Sequence, residues 1–277
     1  MPRGKVINRK KGILHSHNHQ IDPGINKQIP TGSKVSLARA LSKLGYCSRT
    51  RAVELIQQGS VQVNQTMEKN PSRWIDLNRD LIQIAGKQLT AAQKIYLMLN
   101  KPRGLITTLS DDKGRETIFS CLNDSNLPWI SPVGRLDKAS EGLLLLTNDT
   151  RWAAAILDPA SHLDKTYHVQ IRGKLDQEVL NKFKRGIVGQ GELLKAKEIK
   201  VIRQGSKNCW LEIVLDEGRN RQLRRMMQAV DFAVLRLIRI AIGPLKLGDL
   251  KKGAYRHLTI QERKALQLMK SSGDRSN

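Results

Sequence analysis

From Val35 onward, apolar positions fall at helical spacing: Leu37, Leu41 and Leu44 recur until Gly45 interrupts them, which predicts a short helix ending at that glycine. Ser48 is a suitable N-cap for a second helix that carries Ala52, Leu55 and Ile56 as far as Gly59. The rhythm then becomes twofold in Val61-Gln62-Val63-Asn64, as in a half-buried strand. A polar stretch, Thr90 to Gln93, leads into the apolar run Ile95 to Asn100 and then Lys101-Pro102-Arg103-Gly104, where a domain boundary is expected. Beyond it, strand-like runs cover Gly142 to Thr147, Lys165 to Arg172, Lys195 to Ile202 and Cys209 to Leu215, and helical runs cover Trp152 to Leu157, Gln177 to Lys184 and Asn220 to Ala229. Regular helices do not separate adjacent strands, so the pattern predicts an α+β fold with a mixed, mainly antiparallel sheet.

Residues 1–33 lack such a rhythm and combine Lys, Arg, Asn, Gln, Pro and Gly with few apolar residues. They bury too little surface to offset ordering entropy and are expected to form a flexible basic arm. The remaining divisions expected are a small domain over 34–93, a larger domain over 94–266 and a flexible tail over 267–277. The alternating His15, His17 and His19 lie in the unstructured arm, which does not preorganise metal ligands.

Charge changes the picture most. Against 25 Asp and Glu stand 48 Lys and Arg, a formal net charge of +23 in 277 residues. Such a chain favours a polyanion, and nucleic acid fits best because every phosphate neutralised by Lys or Arg releases condensed counterions. An anionic membrane surface fits less well, since no long basic amphipathic helix is evident and no apolar run is long enough to span a bilayer. The start Met1-Pro2-Arg3-Gly4-Lys5 has no apolar segment of signal-peptide type behind it, so a cytoplasmic location is expected. Cys47, Cys121 and Cys209 are far apart and read as reduced thiols. Gly189-Gln190-Gly191 is too short for a phosphate loop, and His162, His168 and His257 are isolated, so neither a cofactor nor a metal is expected.

Lys34, Arg39, Lys43, Arg49 and Arg51 cluster around the two predicted helices, with Glu54 as the main opposing charge. A charge run is usually a solvated face, but this grouping in so basic a chain points toward phosphate contact. The segment from Val35 to about Leu89, with Ala40-Leu41-Ser42-Lys43-Leu44-Gly45, Ser48-Arg49-Thr50-Arg51-Ala52, Leu55-Ile56-Gln57-Gln58-Gly59 and Val61-Gln62-Val63-Asn64, resembles an S4 RNA-binding domain. It departs from that pattern at Gln65, which stands where a Gly is usual after the Asn.

The chemistry-bearing segment is Gly134-Arg135-Leu136-Asp137-Lys138-Ala139-Ser140-Glu141-Gly142, followed by four leucines and Thr147-Asn148-Asp149. Asp137 lies between the cations Arg135 and Lys138, which favour its ionised form. Spacing alone favours a structural ion pair or turn cap there over catalysis. The whole segment, however, resembles the catalytic motif of the RsuA/RluB/RluE/RluF family of pseudouridine synthases. Asn100-Lys101-Pro102-Arg103-Gly104, Lys165-Thr166-Tyr167 and Glu217-Gly218-Arg219-Asn220-Arg221-Gln222-Leu223-Arg224-Arg225-Met226 follow that family's order, and Leu237-Ile238-Arg239 with Ile242-Gly243 continues it. Together the resemblance spans roughly residues 35–265.

The resemblance implies a cofactor-free isomerase acting on ribosomal RNA, with large-subunit RNA preferred, in which Asp137 is the catalytic carboxylate. It either attacks ribose C1′ or stabilises the electron-poor sugar; both routes need the ionised form. Arg224 is implied as the partner orienting Asp137, whereas Arg219, Arg221 and Arg225, at the same very basic predicted helix, are expected to contact phosphate. Tyr167 is implied to stack on the uracil, although its alternation with Val169 and Ile171 alone reads as plain core. Lys165, two residues away on the same strand face, is placed to touch the target phosphate or Asp137. Leu237 is implied to pack under a flipped base. Lys101, Arg103 and Arg135, with Arg39, Lys43, Arg49 and Arg51, complete the expected RNA-binding set. The expected assembly is a monomer with its basic surface free for RNA. The rival is a non-catalytic RNA-binding ribosome assembly factor, against which the intact motif positions argue.

Overall fold

Leu37, Ala40, Leu41, Ala52 and Ile56 bury one face of each of two short helices against Val61, Val63 and Ile75, forming a small core of their own. In this computed structural model, which describes residues 34–122 and 127–272, that unit runs β1 (Lys34–Ser36), α1 (Leu37–Lys43), α2 (Arg49–Gln57), β2 (Val61–Val63), β3 (Thr66–Glu68), β4 (Trp74–Asp76), β5 (Ile82–Ile84) and β6 (Lys87–Gln88). The basic arm with its three histidines lies outside the described residues. Helix α1 stops where Gly45 takes φ +76°, with the Tyr46 N–H returning to the Leu41 carbonyl. Helix α2 starts because the Ser48 hydroxyl accepts the Arg51 N–H. Asn64 and Gln65 both adopt positive φ in the β2–β3 turn, so Gln65 occupies a conformation that glycine takes without strain.

The rest of the chain comprises β7 (Tyr96–Lys101), β8 (Ser131–Val133), β9 (Glu141–Thr147), α3 (Thr150–Leu157), β10 (Lys165–Arg172), α4 (Gln177–Arg185), β11 (Ile187–Gly189) and β12 (Glu192–Leu194). It continues through β13 (Glu198–Gln204), β14 (Asn208–Leu215), α5 (Gln222–Gln228), β15 (Val234–Ile242), β16 (Leu245–Lys246), β17 (Tyr255–His257) and α6 (Ile260–Ser272). One large sheet has the order β13-β14-β10-β15-β9-β7-β17, with β8 beside β9 and β16 beside β15. Its pairs are antiparallel except β15 with β9, which is the mixed, mainly antiparallel α+β arrangement expected.

Three boundaries differ from expectation. The strand expected over 195–202 begins only at Glu198, as β13, after a connection from β12, and Gln190 and Gly191 at positive φ make the hairpin turn between β11 and β12. The helix expected from Asn220 begins at Gln222, because Arg221 takes the left-handed conformation at φ 48°. Helix α6 continues through Ser272, past the expected start of a flexible tail.

The parallel contact of β9 and β15 depends on Gly142. A Cβ there would stand 2.2 Å from the Arg239 carbonyl oxygen, and its φ is +101°. Beside it, buried Glu141 is paired with Arg236 at 3.0 Å and Lys252 at 2.5 Å. Burial pushes that carboxyl up, and the two cations more than reverse the effect, leaving it below the usual carboxylate range. The Thr147-Asn148-Asp149 segment fastens the linker between the two units. Thr147 Oγ1 donates to the Ile95 carbonyl at 2.6 Å, Asn148 Nδ2 to the Gln93 carbonyl at 2.8 Å, and Asp149 accepts both the Tyr96 hydroxyl and the first amides of α3.

Candidate active site

Asp137 lies in the turn that joins β8 to β9, and its neighbours hold the backbone on all sides. The five successive carbonyls from Leu136 to Ser140 each accept a hydrogen bond. Thr107 Oγ1 serves Leu136, Lys101 Nζ and the Ser140 amide serve Asp137, the Gly104 amide serves Lys138, Arg224 serves Ala139, and Lys101 also serves Ser140. A turn so saturated presents its carboxylate with little conformational freedom. The carboxylate itself remains accessible, with 35% of the side chain exposed and Arg221 Nη1 at 3.5 Å from Oδ2.

Lys101 is the largest fully buried side chain and donates to Pro102, Asp137 and Ser140 carbonyls at 3.1, 3.2 and 2.9 Å. Expected to contact RNA, it is instead sealed beneath the Asp137 turn, because three carbonyls there need a donor. Burial depresses its amine to about 8, partly opposed by Asp137.

The expected arginines separate into two groups. Arg224, from α5, bonds the Ala139 carbonyl at 3.1 Å and so reaches the Asp137 turn through its backbone, while direct pairing falls to Arg221. Burial lowers the Arg224 guanidinium; Arg221 and Arg103 add to this and Asp137 opposes it. Arg225, by contrast, bonds the Gly189 carbonyl at 2.6 Å and Glu192 at 2.8 Å, with only 10% of its side chain exposed. It braces the β11–β12 hairpin against α5 and is not free for phosphate. Arg219 is tied to Glu217 at 2.7 Å but stays partly exposed. Gln222 pins the start of α5 by donating to Lys195 and Glu217.

Asp137 opens into a cleft of about 190 Å³ whose walls include Tyr167, Leu237, Leu136, Lys165 and Arg239, with Arg135 and Arg221 at its rim. Tyr167 and Lys165 thus share a face of β10, as their spacing predicted. Opposite Tyr167, strand β15 carries one extra residue between Ala241 and Arg239, a bulge of the kind that re-aims side chains beside a site. Arg39, Arg49 and Arg51 are exposed on the first unit, although Arg51 is paired with Glu54 at 2.8 Å. Lys43 is depressed by burial and then by Arg151, Arg39 and Lys94, which shows a cluster of cations running from α1 across the linker to α3.

Sequence reasoning missed Thr107 and Arg239. Thr107 gives no pattern signal, whereas Arg239 could have been noticed as a charge at a core-facing position in alternation with Leu237 and Ala241.

The family pattern described as RNA pseudouridylate synthase matches residues 95–229, and that of the S4 domain matches residues 35–78. An uncharacterized RNA pseudouridine synthase of Aquifex aeolicus (strain VF5) is 38% identical over 242 residues, covering 87% of this chain and 96% of its own. Ribosomal large subunit pseudouridine synthase B of Bacillus subtilis (strain 168) is 35% identical over 240 residues, covering 86% and 97%. A crystal structure of a pseudouridylate synthase superposes with TM-score 0.59 at 31% identity, over 84% of this chain and 99% of that one. The chain therefore belongs to the RNA pseudouridine synthases, which are isomerases. Its S4 domain and ordered motifs put it in the RsuA/RluB/RluE/RluF family. Among the described residues, no helix is long and apolar enough to cross a membrane.

Proposed function

We propose that this enzyme converts uridine in ribosomal RNA to pseudouridine with Asp137 as its catalytic carboxylate, and that large-subunit RNA is its substrate. The observation that carries this reading is the Asp137 carboxylate itself, held on a turn with every carbonyl engaged and facing a cleft lined by Tyr167 and Leu237. The similarity to the Bacillus subtilis large-subunit enzyme supports the choice of RNA.

A uridine extruded from its stack enters the cleft with its base between Tyr167 and Leu237. The ionised Asp137 meets C1′ as the bond to N1 breaks, and the freed base turns to offer C5. Arg221 pairs with Asp137 at 3.5 Å before RNA arrives, and Arg224 and Lys101 fix the turn from behind. Exposed Arg103 and Arg135 take the flanking phosphates. Residues 34–93 hold structured RNA through Arg39, Lys43 and Arg49, residues 94–266 perform the chemistry, and a monomer in the cytoplasm suffices.

Pseudouridine mapping of unmodified ribosomal RNA after incubation with the purified protein is expected to reveal one or a few large-subunit positions. Modification confined to small-subunit RNA would overturn the choice of substrate, and none on either RNA would overturn the reading.

A further inference from the structure

Two cations of the cleft, Arg239 and Lys165, take no part in the reaction steps proposed for Asp137. Arg239 is 7% exposed, and among the described residues no carboxylate pairs with it. Its Nε donates to the Leu143 carbonyl at 2.8 Å, while its Nη2 is buried with no hydrogen-bond partner. Lys165 lines the same cleft and also lacks an ion pair among the described residues. Burial lowers its amine, Arg239 lowers it further, and Asp164 and Asp216 oppose this from a distance. Leaving a guanidinium donor unsatisfied inside a protein is costly, so this arrangement calls for an anionic or acceptor group that arrives with the substrate.

We propose that Arg239 and Lys165 form a cationic floor that stabilises the detached uracil as an anion. The proposal rests on the reading of Asp137 and its cleft given above. The walls that accompany these cations, Tyr167, Leu237, Leu136 and Ile242, suit a planar base rather than a strongly hydrated phosphate. Phosphate finds Arg103, Arg135 and Arg221 at the exposed rim.

The chemistry requires such a floor. When C1′–N1 breaks, its electron pair stays with the base, giving uracil one negative charge spread over N1 and the carbonyl oxygens O2 and O4. This holds whether Asp137 attacks C1′ or the sugar first loses its C2′ proton. The base turns, the C5–C1′ bond forms as the Asp137–C1′ bond breaks or, on the other route, as the C2′ proton returns to the sugar, the C5 proton leaves and N1 takes up a proton, so atoms and electrons balance. Arg and Lys only donate hydrogen bonds, and a buried cation is worth more to a developing oxyanion than one in water.

The test is single-turnover kinetics on a synthetic RNA containing either uridine or 5-fluorouridine at the target. Fluorine stabilises the departing anion, so the fluorinated base needs less help. Its reaction is scored as loss of the C1′–N1 link, because the C5–F bond prevents the final proton loss. Arg239→Gln is expected to slow uridine about 100-fold while changing RNA affinity less than about threefold, and Arg239→Lys to regain about tenfold. With 5-fluorouridine the loss should shrink to less than about tenfold. Lys165→Met should show the same base dependence, and it decides the question if Arg239→Gln does not fold. Equal losses for both bases, an affinity loss that matches the rate loss, or unchanged rates would each overturn the proposal. An inactive wild type would instead defeat the reading of Asp137, which separates the two failures.

Discussion

At the residue scale, buried Lys101 has a consequence that can be measured without RNA. Its amine sits near pKa 8 in the folded protein and at 10.5 when unfolded, so between those values the unfolded chain holds more protons and stability rises with pH. The contribution amounts to on the order of 3 kcal/mol across that window and is absent below about pH 8, where both states are protonated. Urea unfolding from pH 7 to 9.5 should therefore show an upward trend in wild type that Lys101→Met flattens; parallel curves for the two proteins would contradict this. Gly142→Ala forces a Cβ into the Arg239 backbone at a positive φ and should cost roughly 2–5 kcal/mol. A change of melting temperature too small to measure would count against the close approach. The family was legible in the sequence because the motif around Asp137 is long and its companions follow in order. Lys101 was misassigned because a lysine beside Pro102 and Arg103 reads as surface charge, and only the folded turn reveals three carbonyls awaiting a donor. The division of labour between Arg221 and Arg224 was hidden for a similar reason, since it turns on the left-handed conformation of one residue.

At the element scale, the alternating and helical rhythms located most strands and helices, including β9, β10, β14 and α4. The misplacements arose where local conformation overrides periodicity. Lys195 and Ala196 read as strand, yet the chain between β12 and β13 leaves the ladder, and the Ala196 amide bonds Phe183 of α4 instead. The β2–β3 turn shows the opposite case, a departure visible in the sequence whose physical meaning appears only as a positive φ at Gln65. Replacing it with the conformationally free residue, Gln65→Gly, should stabilise the protein by about 1 kcal/mol. Chemical denaturation tests this, and a destabilised variant would show that Gln65 makes a compensating contact.

At the scale of the whole molecule, the net charge of +23 gains direction from its placement. Arg39, Lys94 and Arg151 all act on Lys43, so cations of α1, the linker and α3 lie near one another, and we propose that the two units contact phosphate together there. Neutralising Arg39, Lys94 and Arg151 to Gln should weaken ribosomal RNA binding and reduce the slope of log affinity against log salt by about 2–3. An unchanged slope in filter-binding titrations would remove these cations from the interface. The most direct measurement of the central claim follows the hydrogen on C5, which every completed isomerisation must release. Ribosomal RNA carrying tritium at uridine C5 should lose it to water in wild-type reactions, to a plateau of one or a few equivalents per RNA, while Asp137→Asn binds the same RNA and releases none. Release by the Asn variant at the wild-type rate would show that this carboxylate does not carry the reaction.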